Sequence, residues 1–378
     1  MTIYNIVFIF LIIATLTEAI LWYRNSSQTC NLTNTSIGIR RSKAHKAKIF
    51  LFVEMLALCL ISALRASSVG TDMATYIPRY EIIANSTWKE LKALADSWNF
   101  EFGFVLFCKF VSLFNPIDVQ IFTVVTSIIF TIGFYLFIKE FSLLPQLSLL
   151  IFVAYGYWTN SFNTVRQYLA ISLLLIALIL WRKNKTSTKI GAIILSIIAI
   201  SFHVSTICFV ILYFIKNKSV SERAYLIVLV IALLIFLIPK SLIERLLAST
   251  PYIKYINRQG SGGLTLIVLL CSYLFVFVQR KQISRIDKNA ALWFWMFSIS
   301  ILANVFALKI GLFERIMRIF LVSLLTYIPN TIFSLRKDCL GLSVYLTTIL
   351  LFSLYFYVVL MISQESSGYA IPYIPYWK

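Results

Sequence analysis

One short polar run, residues 65–80 (RASSVGTDMATYIPRY), carries the residue types best suited to chemistry on an otherwise apolar chain. It contains Arg65, Asp72, Tyr76 and Arg79. Arginine suits phosphate because its planar guanidinium donates two hydrogen bonds at once, and a carboxylate can take a proton from a hydroxyl. The run therefore predicts a loop that binds an anionic substrate and carries acid–base groups.

Four later segments add groups of the same kinds. They contribute Glu101, Arg166, Gln167, His203, Glu314, Arg315 and Arg318. Taken singly, each arginine could be an interfacial anchor at a helix end, and a lone histidine could be a packing residue. Taken together they favour a binding site, because an arginine near the membrane centre costs about 2.5–3.5 kcal/mol unless it is compensated. Several arginines with carboxylates and one histidine predict a diphosphate-bearing substrate and acid–base chemistry.

The elements that must position these residues are membrane spans. The 378 residues are 60% hydrophobic with a mean hydropathy of +0.86, whereas soluble domains are about 45–50% apolar. Apolar runs of about 17–25 residues recur along the chain, as in polytopic α-helical proteins. We therefore predict an all-α, polytopic integral membrane protein with a single transmembrane domain over residues 1–378. Residues 66–117 are predicted to form an outer-face loop region with candidate active-site residues.

About twelve transmembrane helices are predicted. They lie near residues 3–23, 48–65, 118–138, 146–158, 165–181, 188–202, 204–216, 224–239, 263–279, 290–309, 314–334 and 339–361. Three of them, near residues 146–158, 188–202 and 204–216, are short for a hydrocarbon core of about 30 Å. Tilted or broken helices are expected there.

The distribution of charge sets the predicted orientation. Six basic clusters between alternate spans hold 20 of the 34 lysines and arginines but only four acidic residues. They lie at residues 24–48, 139–140, 182–189, 216–223, 280–288 and 336–338. The positive-inside rule places this side in the cytoplasm and the candidate residues on the outer face. The net charge of +19 is thus a topology signal, and nucleic acid is not a predicted partner.

Residues 101–114 (EFGFVLFCKFVSLF) do not fit this alternation, because a crossing there would invert every later span. The run is short and carries Lys109 in its second half. We predict a re-entrant or interfacial helix on the outer side. A true crossing would mean that the downstream map is wrong or that another span is miscounted.

A series of short motifs follows in one order from about residue 50 to the C-terminus. They are Arg65 with the 69–72 run VGTD and Tyr76, Glu101-x-Gly103, Asn163-x-x-Arg166-Gln167, Phe202-His203, Arg315-x-x-Arg318 and the tail YAIPYIPYWK. This series resembles the EpsG-type, Wzy-like polysaccharide polymerases. The resemblance implies a membrane glycosyltransferase with a GT-C-like helical architecture. Such enzymes join undecaprenyl-diphosphate-linked oligosaccharide units on the outer side of the bacterial cytoplasmic membrane.

The resemblance also implies which cofactors are not needed, which partner to expect and which residues bind the substrate. It implies no nucleotide sugar, usually no metal, and a partner protein that regulates chain length; the product is O-antigen, capsule or exopolysaccharide. The predicted diphosphate-binding and substrate-binding residues are Arg65, Tyr76, Arg79, Arg166, Gln167, Arg315 and Arg318. The candidate general bases are Asp72, Glu101 and His203, and sequence alone does not separate Asp72 from His203.

Three other classes of protein are alternatives. A transporter or flippase of lipid-linked glycan would place charges near the bilayer centre, often with pseudo-symmetric repeats, whereas here the charges gather at one face. A membrane O-acyltransferase acting on surface glycan can use a histidine but would leave the arginines little to do. A structural scaffold would leave the whole polar set unexplained.

Overall fold

Helices form at the positions where the sequence predicts spans. The computed structural model describes residues 2–24, 35–115, 118–215, 219–249, 263–335, 338–362, 370 and 372–377. The basic clusters at 24–48, 216–223 and 336–338 and the tail motif therefore lie partly outside the described residues. The chain divides into two compact units, Met1–Val204 with Arg336–Lys378, and Ser205–Leu335. The single-domain assignment stays a prediction.

The first unit holds most of the candidate residues. Its helices are α1 (Thr2–Arg24), α2 (Thr35–Ala63), α3 (Met73–Asn85), α4 (Leu91–Trp98), α5 (Phe102–Ser112), α6 (Gln120–Phe141), α7 (Pro145–Ala154), α8 (Tyr157–Asn160), α9 (Val165–Arg182) and α10 (Thr186–Phe202). A 3₁₀ helix, Val204–Phe214, follows α10 in sequence, and all of it except Val204 belongs to the second unit. Later in the chain, α17 (Cys339–Tyr355) and a π-helical segment, Phe356–Ile362, return to this unit.

The second unit is also helical. It contains α11 (Glu222–Leu237), α12 (Lys240–Leu247), α13 (Gly263–Ile286), α14 (Ala290–Ala307), α15 (Phe313–Leu321) and α16 (Leu324–Phe333). Lys309, just after α14, donates to the backbone carbonyls of Ile235, Phe236 and Ile238 at the end of α11. A lysine there satisfies carbonyls that the helix leaves without partners.

In the described part of the chain, seven helices are long and apolar enough to cross a membrane. They cover Ile3–Arg24, Gln120–Phe141, Val165–Arg182, Gly263–Ile286, Ala290–Ala307, Phe313–Phe333 and Cys339–Val359, and four shorter apolar helices accompany them. Large apolar side chains such as Ile6, Ile197 and Leu233 are exposed, as expected of surfaces that face lipid. The described residues form no β-strand. The chain is thus an all-α, multi-pass membrane protein, while the number of about twelve spans stays a prediction.

Residues 66–117 contain three short helices, α3 to α5. Helix α5 has 11 residues, which at about 1.5 Å per residue is too short to cross a core of about 30 Å alone. Lys109 is buried on α5, and its ammonium group donates to the carbonyls of Ala84 and Ser86, each at 2.8 Å, at the end of α3. The length of α5 is in keeping with a re-entrant or interfacial helix. Lys109 caps the C-terminal end of α3 by donating to its last carbonyl groups.

The end of the chain packs against the end of α2. Arg65 and Pro375 form an isolated antiparallel bridge. The Ala66 amide donates to the Ile374 carbonyl at 2.7 Å, and the Tyr376 amide donates to the Leu64 carbonyl at 2.9 Å. These bonds fix the backbone at the start of the 65–80 run.

Candidate active site

A carboxylate at the start of α5 joins three segments that are distant in sequence. Glu101 immediately precedes the first residue of α5 with an extended backbone, and its side chain makes no capping hydrogen bond to that helix. Its Oε2 accepts a hydrogen bond from Arg166 Nη1 at 2.5 Å. Its Oε1 accepts from the Val204 amide at 3.1 Å and lies 3.4 Å from His203 Nδ1. Glu101 therefore brings the first turn of α9 and the end of α10 into one cluster.

A close approach of α5 to α10 makes these contacts. A Cβ atom added at Gly103 would lie 2.6 Å from Ser201 Cβ and 2.8 Å from the Ser201 carbonyl oxygen. Both distances are too short for a real side chain, so only glycine allows this packing. Gly103 lies two residues after Glu101, and Ser201 two residues before His203, so the glycine contact sets the distance between carboxylate and imidazole. The Glu101-x-Gly103 motif is explained in this way.

Gly70 plays a similar part in the 65–80 run. Its φ of +112° is a backbone conformation that other residues rarely adopt. A Cβ atom there would lie 2.7 Å from the Phe162 carbonyl oxygen and 2.9 Å from Asn163 Oδ1. The neighbouring Thr71 hydroxyl donates to Asn163 Oδ1 at 3.3 Å. The run is therefore held against the segment that leads into α9.

Aromatic rings surround the arginine side of the cluster. The Arg166 guanidinium carbon lies 3.9 Å from the centroid of the Phe100 ring, and that of Arg79 lies 4.3 Å from the same centroid. Cation–π contacts of this kind hold a guanidinium in place while its N–H groups remain available for ligands. Arg166 Nε also donates to the buried Tyr76 hydroxyl at 3.4 Å. Burial, followed by the positive charge of Arg166, lowers the pKa of Arg79.

The charge state of Glu101 follows from these contacts. Burial opposes its ionisation, but the proximity of the His203 imidazole and the positive charge of Arg166 outweigh burial and lower its pKa to about 2. The carboxylate is therefore ionised at neutral pH and is a weak base. It is better suited to orienting Arg166 and His203 than to accepting a proton itself.

A comparison with known families covers the part of the chain that forms this site. A model described as the EpsG family matches residues 48–376, a range that contains every candidate residue. The chain belongs to the EpsG family. The resemblance inferred from the motifs is thereby confirmed, and the family associates the chain with polysaccharide polymerisation in a membrane. No curated protein and no solved structure matches it.

The other candidate residues of this EpsG-family chain lie outside the four-residue cluster of Tyr76, Glu101, Arg166 and His203. Asp72 immediately precedes α3 and is partly buried. Gln167 is buried in the first turn of α9, beside Arg166. Arg65 is also buried, at the end of α2.

Arg315 and Arg318 lie on α15 in the second unit. The Arg318 guanidinium pairs with Glu314, one turn earlier on the same helix, at 2.5 Å. A carboxylate thus already compensates one of the two arginines. Their assignment as diphosphate-binding residues stays a prediction.

Phe100 is the residue of the candidate site that sequence reasoning did not single out. The only sequence feature that marks Phe100 is the aromatic-rich run WNFEFGF at residues 98–104. Such runs are typical of segments that lie at the lipid interface or pack in the protein interior. Only its position under Arg79 and Arg166 distinguishes it from the other aromatic residues.

The ion pair between Glu101 and Arg166 predicts a specific dependence of the free energy of unfolding on pH. Because the folded-state pKa of Glu101 is about 2 against an ordinary value of 4.5, its stabilisation is complete above about pH 4.5 and is lost as pH falls toward 2. Glu101→Gln should therefore lower the free energy of unfolding at pH 7 by roughly 1–3 kcal/mol, after allowance for solvent screening. The difference between wild type and variant should shrink between pH 4.5 and pH 2.

Thermal unfolding of both proteins in detergent at pH 7, 4.5 and 3 measures this difference. The comparison with the variant cancels the other carboxylates, which titrate in both proteins. A difference that stays constant over this range would mean that Glu101 is not held ionised by Arg166 and His203.

Proposed function

We propose that this protein is a glycosyltransferase that polymerises undecaprenyl-diphosphate-linked oligosaccharide repeat units. It would act without a metal ion, on the outer face of the bacterial cytoplasmic membrane, with a GT-C-like helical architecture. The observation that carries the proposal is the contact of one ionised carboxylate, Glu101, with both Arg166 and His203. Membership of the EpsG family supports the same reaction class.

The chemistry is a displacement at the anomeric carbon of the donor chain. A hydroxyl oxygen on the acceptor unit forms the new glycosidic bond, and the bond from the anomeric carbon to the diphosphate oxygen breaks. The electron pair of that bond leaves with the undecaprenyl diphosphate, and the hydroxyl proton passes to the general base. Attack from the side opposite the diphosphate inverts the anomeric centre.

The arginines are assigned to the leaving group. Arg79 and Arg166 lie over one aromatic ring, that of Phe100, and Glu101 balances only one of their two charges. The remaining positive charge favours an anionic ligand, and it stabilises the charge that develops on the departing diphosphate. Burial raises the pKa of the Tyr76 phenol, so this hydroxyl is protonated and can donate to a phosphate oxygen.

His203 is the preferred general base. Its Nδ1 faces Glu101, and a hydrogen bond from Nδ1–H to a carboxylate places the basic lone pair on Nε2 and stabilises the imidazolium formed after proton transfer. Asp72 remains the competing assignment; its negative charge acts on the Tyr76 phenol and contributes to raising the pKa of that group. A chain-length regulator is a proposed partner.

Purified full-length protein in detergent tests the proposal. With lipid-diphosphate-linked repeat units alone, it should produce a ladder of longer glycans and release one lipid diphosphate per bond formed, with or without a chelator. A transporter would leave glycan length unchanged, and an O-acyltransferase would add acyl mass only when an acyl donor is present. If monodisperse protein leaves the length of the glycans unchanged, the proposal is overturned.

A further inference from the structure

We infer that the Glu54 carboxylate on α2 binds a single monovalent cation, a proton or an alkali-metal ion, together with the side-chain oxygen of Gln146 on α7. Both residues belong to the first unit. Glu54 is 4% exposed and Gln146 is 5% exposed, so a charge at this place is shielded from water. Neither residue has a role in the proposed reaction, and the inference is therefore independent of it.

The first observation is that nothing in the described part of the chain compensates the charge of Glu54. Both of its carboxylate oxygens are buried there without a hydrogen-bond donor. Glu18 on α1 is the charged group that acts on Glu54, and it is of the same sign. The helices packed against α2 are α6 and α7, and their described residues bring no charge to bear on Glu54. A buried carboxylate is costly without a positive charge or hydrogen bonds, and a bound cation removes that cost.

The second observation is the side chain of Gln146, which faces Glu54. Its Oε1 and Nε2 atoms are both buried, and neither has a hydrogen-bond partner among the described residues. Carboxylate and amide oxygens are the ligands that hard cations take in proteins. A proton on Glu54 would use the same oxygen, because the carboxylic acid can donate its O–H to Gln146 Oε1. An amide oxygen is neutral, so it points to a cation independently of the two carboxylates.

The third observation is that Glu18 holds the backbone of Gln146 in place. Glu18 Oε1 accepts a hydrogen bond from the Gln146 amide at 3.1 Å, and Oε2 accepts one from the Leu147 amide at 3.1 Å. The Tyr345 hydroxyl on α17 donates to the same Oε2 at 2.8 Å. Glu18 thus accepts hydrogen bonds from three donors, whereas Glu54 accepts none from the described residues. The cation is therefore assigned to Glu54, with Gln146 fixed beside it.

Thermal unfolding of the purified full-length protein in detergent tests the inference, with Glu54→Gln as the main variant. Glutamine has nearly the shape of glutamate but no charge, so the variant needs no cation. If the ligand is a proton, raising the pH from 6 to 9 disfavours the state that holds it. The melting temperature of wild type should then fall by about 2–4 °C relative to that of the variant. If the ligand is an alkali-metal ion, sodium or potassium chloride in place of choline chloride, at equal ionic strength, should raise the melting temperature of wild type alone.

Infrared spectroscopy identifies the ligand directly. A carbonyl band of a protonated carboxylic acid that is present in wild type and absent from Glu54→Gln identifies a proton. Stabilisation by sodium or potassium without this band identifies an alkali-metal ion.

Two further variants complete the test. Glu54→Met replaces the carboxylate by an apolar side chain, in case Glu54→Gln does not fold, and it should respond in the same way as Glu54→Gln. Glu140→Gln is the matched control, because it removes an exposed glutamate at the end of α6, and it should respond as wild type does. Equal responses of wild type and of either folded Glu54 variant, to pH and to the cation alike, would overturn the inference. A response that is also lost in Glu140→Gln would overturn it too, since the effect would then belong to surface charge.

Discussion

Arg166→Ala is expected to lower the rate of glycan polymerisation by about 100- to 1,000-fold, the usual effect of removing one preorganised donor to developing charge. The variant removes the guanidinium that contacts Glu101, Tyr76 and the Phe100 ring. Arg166→Lys should restore little activity, because an ammonium group keeps the charge but loses the planar fork that contacts carboxylate and phosphate together. The measurement is the initial rate of ladder formation by purified protein.

Arg280→Ala is the matched control for this prediction. Arg280 also pairs with a glutamate, Glu222, and its guanidinium lies 4.5 Å from an aromatic ring, Phe277. It therefore tests the loss of a similar ion pair that lies within the second unit, and it should leave the rate within about twofold of wild type. Equal rates for Arg166→Ala and Arg280→Ala, at equal amounts of folded protein, would reject Arg166 as a diphosphate-binding residue.

His203→Ala is expected to lower the rate by about 100- to 10,000-fold, the range for loss of a positioned general base. Because the proton acceptor is removed and not the binding site, KM for the lipid-linked unit should change little. Added imidazole should restore part of the rate to His203→Ala, since the substitution leaves space where the ring was. If His203 served only in packing, imidazole would not raise the polymerisation rate of His203→Ala.

Asp72→Asn separates the two assignments of the general base. If His203 is the base, Asp72→Asn should retain most of the rate. Loss of activity in Asp72→Asn, together with an active His203→Ala variant that imidazole does not stimulate, would transfer the role to Asp72. Both variants need the same lipid-linked substrate and the same pH, so that only the side chain differs.

The candidate residues show how far sequence reasoning extends. Residue type alone indicated Glu101, Arg166 and His203, because charged groups on an apolar chain require an explanation. Their mutual contacts could not be predicted, since they depend on how closely α5 approaches α10. Arg65 was predicted as the start of a polar loop, whereas the structure shows it buried beside the backbone bridge to Pro375.

The sequence by itself determined the class of the fold and the family. Apolar runs, charge clusters and ordered motifs are properties of short segments, and they predict helices in a membrane without knowledge of any neighbour. Only the tertiary structure decided that Glu101 holds Arg166 and His203 and that Phe100 lies beneath two arginines. These contacts join segments up to 103 residues apart, as from Glu101 to Val204. They arise from side-chain packing at helix crossings such as Gly103 on Ser201, which no local pattern encodes.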